Sequence, residues 1–161
     1  MRSMRAIARS AVLVCVAAAF ASADAHDDVM EVISSMAGSL TEVTDTRGGV
    51  LRGNVPKFMD AISKDLPDYD TLKNNVTALV NTGEISSSIR PIAEDGNDQA
   101  RTIDLDWAME VRSLEQDGPI EQRRAVVHCE LRKDQAHKNK SHWKIVALKP
   151  IDFFAPAKPG Q

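Results

Sequence analysis

The sequence predicts an α+β domain in which three N-terminal helices pack on an antiparallel sheet of about four strands. Apolar residues recur at helical spacing in the first half of the chain, whereas apolar and polar residues alternate in the second half. The clearest alternation is Thr102–Arg112, where every second residue from Ile103 to Val111 is apolar. A chain of 161 residues with 43% hydrophobic content is long enough for one domain with a substantial core.

The first 23 residues have the features of a secretory signal peptide. Arginines precede the apolar run Ala11–Phe20, and Ala21-Ser22-Ala23 supplies the small residues of a cleavage site, with a second possible cut after Ala25. We therefore expect an exported protein, periplasmic or extracellular, with no membrane span after cleavage. A retained anchor helix is the alternative interpretation.

Cleavage after Ala23 changes both the charge and the cysteine content. It removes three arginines and no acidic residue, so the net charge falls from −3 to −6. An acidic domain without a stripe of lysine and arginine is not suited to nucleic acid. Cys15 leaves with the signal peptide, so Cys129 alone remains and no internal disulfide is possible. No cofactor is implied.

Three helices are predicted before the sheet. The apolar spacing of His26–Leu40 is that of an amphipathic helix. A second helix is expected to begin after Asn54, a suitable N-cap, and to end at Leu66-Pro67. A third is expected to begin after Asp68 and to end at Gly83, which is placed as a C-terminal glycine cap.

Four strands are predicted after the helices, and they are Ile85–Ile89, Thr102–Arg112, Ile120–Leu131 and His142–Leu148. Pro91 marks the first of them as an edge strand. Glu94–Gln99 is a cluster of polar turn residues. Ile151–Phe154 is expected to return two phenylalanines to the body of the domain, and Ala155–Gln161 is expected to be a disordered tail.

The two central strands are expected to form a hairpin. A three-residue loop, Gln116-Asp117-Gly118, is a common hairpin connection. The facing pairs would then be Leu105–Cys129, Trp107–Val127 and Met109–Ala125 on the apolar face, and Asp106–His128 and Glu110–Arg124 on the polar face. A loop shifted by one residue on each side would set Arg112 against Arg124, two like charges. The first register is therefore favoured.

The order of these elements resembles that of nuclear transport factor 2-like domains, which include ketosteroid-isomerase-like and polyketide-cyclase-like proteins. The resemblance extends over residues 26–154 and is carried by Phe58–Ile62, by the strand around Trp107 and by Trp143–Phe154. It implies that residues 24–154 form a single cystatin-like cone, in which a strongly curved sheet surrounds a pocket capped by the helices. It also implies a homodimer formed through the sheet.

The inward positions of the two central strands carry no acid or base, so no catalytic residue of the related enzymes can be transferred to this chain. One interpretation of these positions is a packed core. The other is a pocket for a small apolar ligand. Its predicted lining is Phe58, Tyr69, Leu105, Trp107, Met109, Val127 and Cys129.

The opposite face of the sheet carries the charged side chains. Asp106, Glu110, Arg124 and His128 are predicted there, either in solvent or in a homodimer interface. Cys129 is expected to be a buried, unreactive thiol.

These observations favour a non-enzymatic domain that binds a small apolar ligand or a protein partner. The alternative is an isomerase-, cyclase- or hydrolase-like enzyme with polar groups from helices or loops, such as Asp60, Tyr69 or Asp152. A third hypothesis is a structural module that uses only its sheet face.

One metal arrangement is specific enough to state. Cleavage after Ala23 would leave Asp24-Ala25-His26 as the new terminus. Its amine, two amides and imidazole suit Cu(II) or Ni(II). No other metal site is predicted.

Overall fold

The computed structural model describes residues 10–41, 53–114, 118–134 and 142–156, with side chains described from residue 24 onward. Within these ranges the α-helices are α1 (Ser10–Leu40), α2 (Val55–Asp60) and α3 (Tyr69–Thr82). The strands are β1 (Gly83–Gly96), β2 (Ala100–Ser113), β3 (Ile120–Asp134) and β4 (His142–Lys149), and a 3-10 helix, η1, covers Ile151–Phe154. The predicted α+β class, with three helices before a four-stranded antiparallel sheet, is confirmed.

The sheet has the strand order β1-β2-β3-β4, and each strand is antiparallel to its neighbours. We call the side that packs on the helices the helix-side face and the other side the outward face. Along β2, the odd-numbered residues from Ile103 to Val111 are buried on the helix-side face. The even-numbered residues from Asp104 to Glu110 lie on the outward face and are only half-buried. The predicted period of two is therefore correct.

The predicted bounds of the first two helices need correction. Helix α1 begins at Ser10 and so extends well before His26. Asn54 caps α2 as predicted, because its side chain accepts a hydrogen bond from the Lys57 backbone N–H at 3.0 Å. Helix α2 ends at Asp60, earlier than predicted. The chain leaves the helix there to run beside β4, and the Ser63 N–H donates to the Ile145 carbonyl at 2.8 Å. None of the helices in the described ranges has an apolar stretch long enough to cross a membrane.

Helix α3 runs directly into β1 at Gly83. Gly83 is the C-cap residue of α3, as predicted, and its N–H donates to the Leu79 carbonyl, but its backbone is extended, with φ −146° and ψ 152°. The requirement for glycine is steric instead. A Cβ atom at this position would lie 2.5 Å from Cγ1 of Val111 on the neighbouring strand. The junction therefore needs a residue without a side chain.

Strand β1 is longer than the predicted edge strand. It continues through Pro91 to Gly96, and a β-bulge interrupts its pairing with β2 between Pro91 and Ala93. The turn follows at residues 97–99, where Asn97 Oδ1 accepts hydrogen bonds from two backbone N–H groups. Gly96 has φ +128°, a conformation that favours glycine.

The predicted hairpin register is wrong by two residues. Trp107 faces Ala125 instead of Val127, and Asp104 instead of Asp106 faces His128. The Ser113 N–H bonds to the Pro119 carbonyl at 3.2 Å, so the connection is longer than a three-residue loop. Because the shift is an even number, every side chain remains on its predicted face. The alternative register is also wrong.

Aromatic residues form the centre of the core. The Trp107 ring lies 5.2 Å from the Phe154 ring and 5.9 Å from the Phe153 ring, and Phe154 contacts Phe58 at 5.5 Å, all between centroids. All four side chains are buried. The predicted return of Ile151–Phe154 to the body of the domain is confirmed. Of the predicted tail, Ala155 and Pro156 are described, and the rest lies outside the described residues.

Candidate functional site

Most of the predicted pocket-lining residues lie in the core. Six of the seven side chains are at most 2% exposed, and they are Phe58, Leu105, Trp107, Met109, Val127 and Cys129. Tyr69 differs from them, because it is half-buried at the start of α3 and lines an open cleft. The structure therefore brings six of these residues together around the aromatic cluster and places the seventh at the surface.

The cleft beside Tyr69, which we call the Tyr69 cleft, has a volume of about 500 Å³. Asp60 and Met59 of α2, Lys73 of α3 and Lys144 of β4 also line it. The Lys144 ammonium donates a hydrogen bond to the Asp60 backbone carbonyl at one wall. With lysines and aspartates on its walls, the cleft is better suited to a polar ligand than to an apolar one.

A second cleft lies between α1, the α2 region and β4, and its volume is about 850 Å³. Asp28 and Glu31 contribute carboxylates from α1, while Lys57 and His142 contribute basic groups from the other side.

Two of the three polar residues of the enzyme hypothesis, Asp60 and Tyr69, share the Tyr69 cleft. Asp152 does not line either of these clefts.

Asp106 lies on the outward face between two arginines. Arg124 donates two hydrogen bonds to its carboxylate, at 2.8 and 2.7 Å, and Arg90 donates a third at 2.8 Å. These hydrogen bonds, and that of Arg124 most of all, hold the pKa of Asp106 well below its usual range. Both arginine side chains are 70% exposed, so water weakens the pairs. The cluster fixes one acidic and two basic side chains across three strands.

The other predicted outward-face residues do not join this cluster. The His128 Nδ1 atom lies 2.6 Å from an Asp104 carboxylate oxygen. The Glu110 Oε1 atom lies 3.7 Å from Nη2 of Arg112 on the same strand. In place of the predicted pairs Asp106–His128 and Glu110–Arg124, His128 faces Asp104, while Arg124 faces Ala108 and reaches Asp106 diagonally. This change follows from the two-residue shift in register.

Sequence reasoning missed two polar clusters on the helix-side face. Arg101, only 6% exposed, donates a hydrogen bond to the Glu94 carboxylate, whose other oxygen lies 2.5 Å from Nδ1 of His26 in α1. The bulge in β1 brings Glu94 to this side of the sheet. The signal for Arg101 was available, because position 101 has the same parity as Ile103. In the copper arrangement predicted at Asp24-Ala25-His26, the ion would compete with Glu94 for the His26 imidazole.

The second missed cluster fastens η1 to β3. Arg123 donates two hydrogen bonds to the Glu121 carboxylate, at 2.6 and 3.0 Å. Its guanidinium also donates to the backbone carbonyls of Phe153, at 3.0 Å, and Ala155, at 2.5 Å. The cluster therefore serves to hold the aromatic residues of η1 in the core.

Cys129 is unsuited to nucleophilic chemistry. Cys129 is fully buried and forms no disulfide. Burial, with a smaller contribution from the Asp104 charge, raises the pKa of its thiol to about 12. The predicted burial of Cys129 is confirmed, and because the thiolate is the reactive form, the raised pKa agrees with the prediction of an unreactive thiol. Within the described ranges no three histidine, cysteine or carboxylate side chains are grouped to hold a metal ion.

Asp106 is expected to make the stability of the domain depend on pH in acid. A carboxyl whose pKa is lowered by folding contributes its stabilisation above its unfolded pKa, about 3.9, and loses it as the pH falls toward the folded value. Asp106→Asn should therefore lower the urea midpoint at pH 5, and this difference should shrink toward pH 2. Asp98→Asn, in the exposed turn after β1, is the control. A difference that is the same at both pH values would contradict the prediction.

The chain was also compared with known proteins. No protein-family model, no curated protein and no solved structure matches it. Its function must therefore be argued from its own residues.

Proposed function

We propose that the protein is an exported, non-catalytic binding domain of the nuclear transport factor 2-like type, and that it forms a homodimer through its outward face. The observation that carries the proposal is the contrast between the two faces of the sheet. The centre of the helix-side face is filled by apolar and aromatic side chains, with polar clusters beside it, whereas no element in the described part of the chain covers the outward face. Val126, at the centre of that face, is 55% exposed.

The dimensions of the outward face support a second copy as its occupant. Strands lie about 4.8 Å apart and rise about 3.3 Å per residue, so the four strands present a face of about 800 Å². This is about the area that each partner buries in a stable complex. Basic and acidic side chains alternate on it, among them Arg90, Asp106, Arg124 and Glu130, so a second copy can meet them with opposite charges.

Arg124→Glu is expected to abolish an outward-face dimer without unfolding the domain. The substitution places a third acid beside Asp106 and Glu110 in each copy, so two such faces repel each other. Native mass spectrometry of the protein from its own envelope fraction would report the oligomeric state. The same measurement gives the mass of the processed chain and of any bound small molecule.

The control for this variant is Lys73→Glu, which makes the same charge change on α3. A wild-type monomer, or a dimer that persists in Arg124→Glu, would refute the outward-face interface. A bound apolar molecule would support the ligand-binding form of the hypothesis, in which a cone-shaped pocket receives it.

The proposed export is supported by the charges that cleavage would leave at the start of α1. Cleavage after Ala23 would leave Asp24, Asp27 and Asp28 in the first turns of the helix. Acidic residues at a helix N-terminus interact favourably with the helix dipole.

A second candidate function rests on the Tyr69 cleft. Tyr69 and Asp60 line it together with Lys73 and Lys144, so a phenol, a carboxylate and ammonium groups face one ligand-sized space. This arrangement supports the enzyme alternative, in which Tyr69 or Asp60 transfers a proton to a polar substrate.

A further inference from the structure

The two edges of the sheet differ in how they are covered. The segment after α2 covers part of the β4 edge, where Ser63 and Ala61 exchange backbone hydrogen bonds with Ile145 at 2.8 and 2.9 Å. At the other edge, the described residues form no backbone hydrogen bond to β1 from the side opposite β2. Strand β1 therefore presents a row of backbone donors and acceptors that can pair with another strand.

The first half of this edge strand is symmetric in sequence. Residues 84–90 read Glu-Ile-Ser-Ser-Ser-Ile-Arg, which is a palindrome apart from its ends, and those ends carry opposite charges. If two copies of this segment pair antiparallel about Ser87, Ile85 faces Ile89 of the other copy and Glu84 faces Arg90. Both members of each pair then lie on the same side of the sheet, as antiparallel pairing requires.

The burial of these residues agrees with such pairing. Ile85 is buried and Ile89 half-buried on the helix-side face, where pairing would cover Ile89 further. Glu84 is exposed and forms no ion pair in the part of the chain that the structure describes. Arg90 is 70% exposed and contacts Asp106 through one of its nitrogens, so it can meet a second carboxylate.

The second half of the strand limits the pairing to this segment. Pro91 has no N–H group to donate, and the bulge that follows it disrupts the regular edge. Both features protect an edge strand from open-ended pairing. Because Pro91 would face Gly83 of the other copy, the paired segment ends where the regular strand does.

We infer that the segment Gly83–Pro91 is a self-pairing edge, through which two copies of this chain join their sheets into one of eight strands. The backbone groups of this edge are distinct from the outward face, although the Arg90 side chain lies on both surfaces. Edge pairing leaves the two outward faces on the same side of the joined sheet. A chain that used both surfaces would form a tetramer or a longer assembly, since each surface is self-complementary.

The test uses opposite charge changes at the two ends of the segment. A homodimer of Glu84→Arg sets two arginines against each other at both ends of the paired segment, and a homodimer of Arg90→Glu sets two glutamates against each other there. Each single variant should therefore self-associate at least tenfold more weakly than the wild type. In an equimolar mixture of the two variants, each heterodimer sets an arginine against a glutamate at both ends of the paired segment, so the mixture should recover the association that each single variant loses. The double variant, Glu84→Arg with Arg90→Glu, restores an opposite-charge pair at both ends and should associate as the wild type does.

The double variant controls for damage to the individual chains, since it carries both substitutions and is expected to pair normally. Single variants that associate as the wild type does, or a double variant that remains as weak as the single ones, would overturn the inference. The failure of this edge is distinguishable from that of the outward-face dimer. If Arg124→Glu alone gives monomers, only the outward face pairs; if it leaves a dimer that Glu84→Arg abolishes, only the edge pairs.

Discussion

A chain that ends at Pro150 is expected not to fold cooperatively. It lacks Phe153 and Phe154, which are buried against Trp107 and Phe58 at the centre of the core. Removing one buried phenylalanine side chain costs about 3–5 kcal/mol. Two such losses approach the whole stability of a domain, about 5–15 kcal/mol. We expect the loss of the near-ultraviolet circular dichroism signal and of a sigmoidal urea transition.

The matched control is a chain that ends at Pro156. It keeps both phenylalanines and both of the carbonyls that accept hydrogen bonds from Arg123. It should unfold at the same urea concentration as the full chain. If the chain that ends at Pro150 shows a cooperative transition with an unchanged midpoint, η1 does not complete the core.

Trp107→Ala is expected to lower the free energy of unfolding by about 3–5 kcal/mol. Trp107 is fully buried, contacts Phe153 and Phe154 and donates a hydrogen bond from Nε1 to Ser87 Oγ at 2.8 Å. The substitution removes the largest side chain of the helix-side face of β2 and leaves a cavity there. Chemical denaturation with a two-state fit measures the change.

Two further variants separate the sources of this effect. Ser87→Ala removes the hydrogen bond alone and should cost about 0.5–1.5 kcal/mol. Val126→Ala changes a side chain of the outward face that is 55% exposed, and it should alter stability by less than about 0.5 kcal/mol. If Trp107→Ala lowers the free energy of unfolding by less than about 1 kcal/mol, the indole is not central to the core.

The face on which each side chain lies could be predicted from the sequence, because it depends only on parity. The alternation of Thr102–Arg112 is strict, so the buried and exposed sides of β2 follow from the order of its residues. The N-cap at Asn54 was predictable for a similar reason, since a short polar side chain before Val55 can accept the Lys57 N–H locally. These features depend on near neighbours in the chain.

The register and the polar clusters depend on residues far apart in the chain. Asp106 accepts hydrogen bonds from Arg124 of β3 and from Arg90 of β1. When the sequences of only two strands are aligned to find facing residues, one of these two contacts is always left out. The bulge at Pro91–Ala93 changes the parity of β1, which is why Glu94 could not be assigned to the side of Arg101. The clefts are formed by loops and strand ends, where periodicity carries no information.

The direct junction of α3 and β1 at Gly83 has a consequence for the edge strand. Strand β1 has weak alternation, Ser-Ser-Ser between two isoleucines, and such a strand can slip along its neighbour with little loss of apolar contact. A slip of one residue would have to drag the last turn of α3 along the sheet, since no linker separates Thr82 from Gly83. Leu79 and Val80 of that turn are anchored in the core. Helix α3 therefore fixes the register of β1, and with it the positions of the serines and isoleucines at the edge of the sheet.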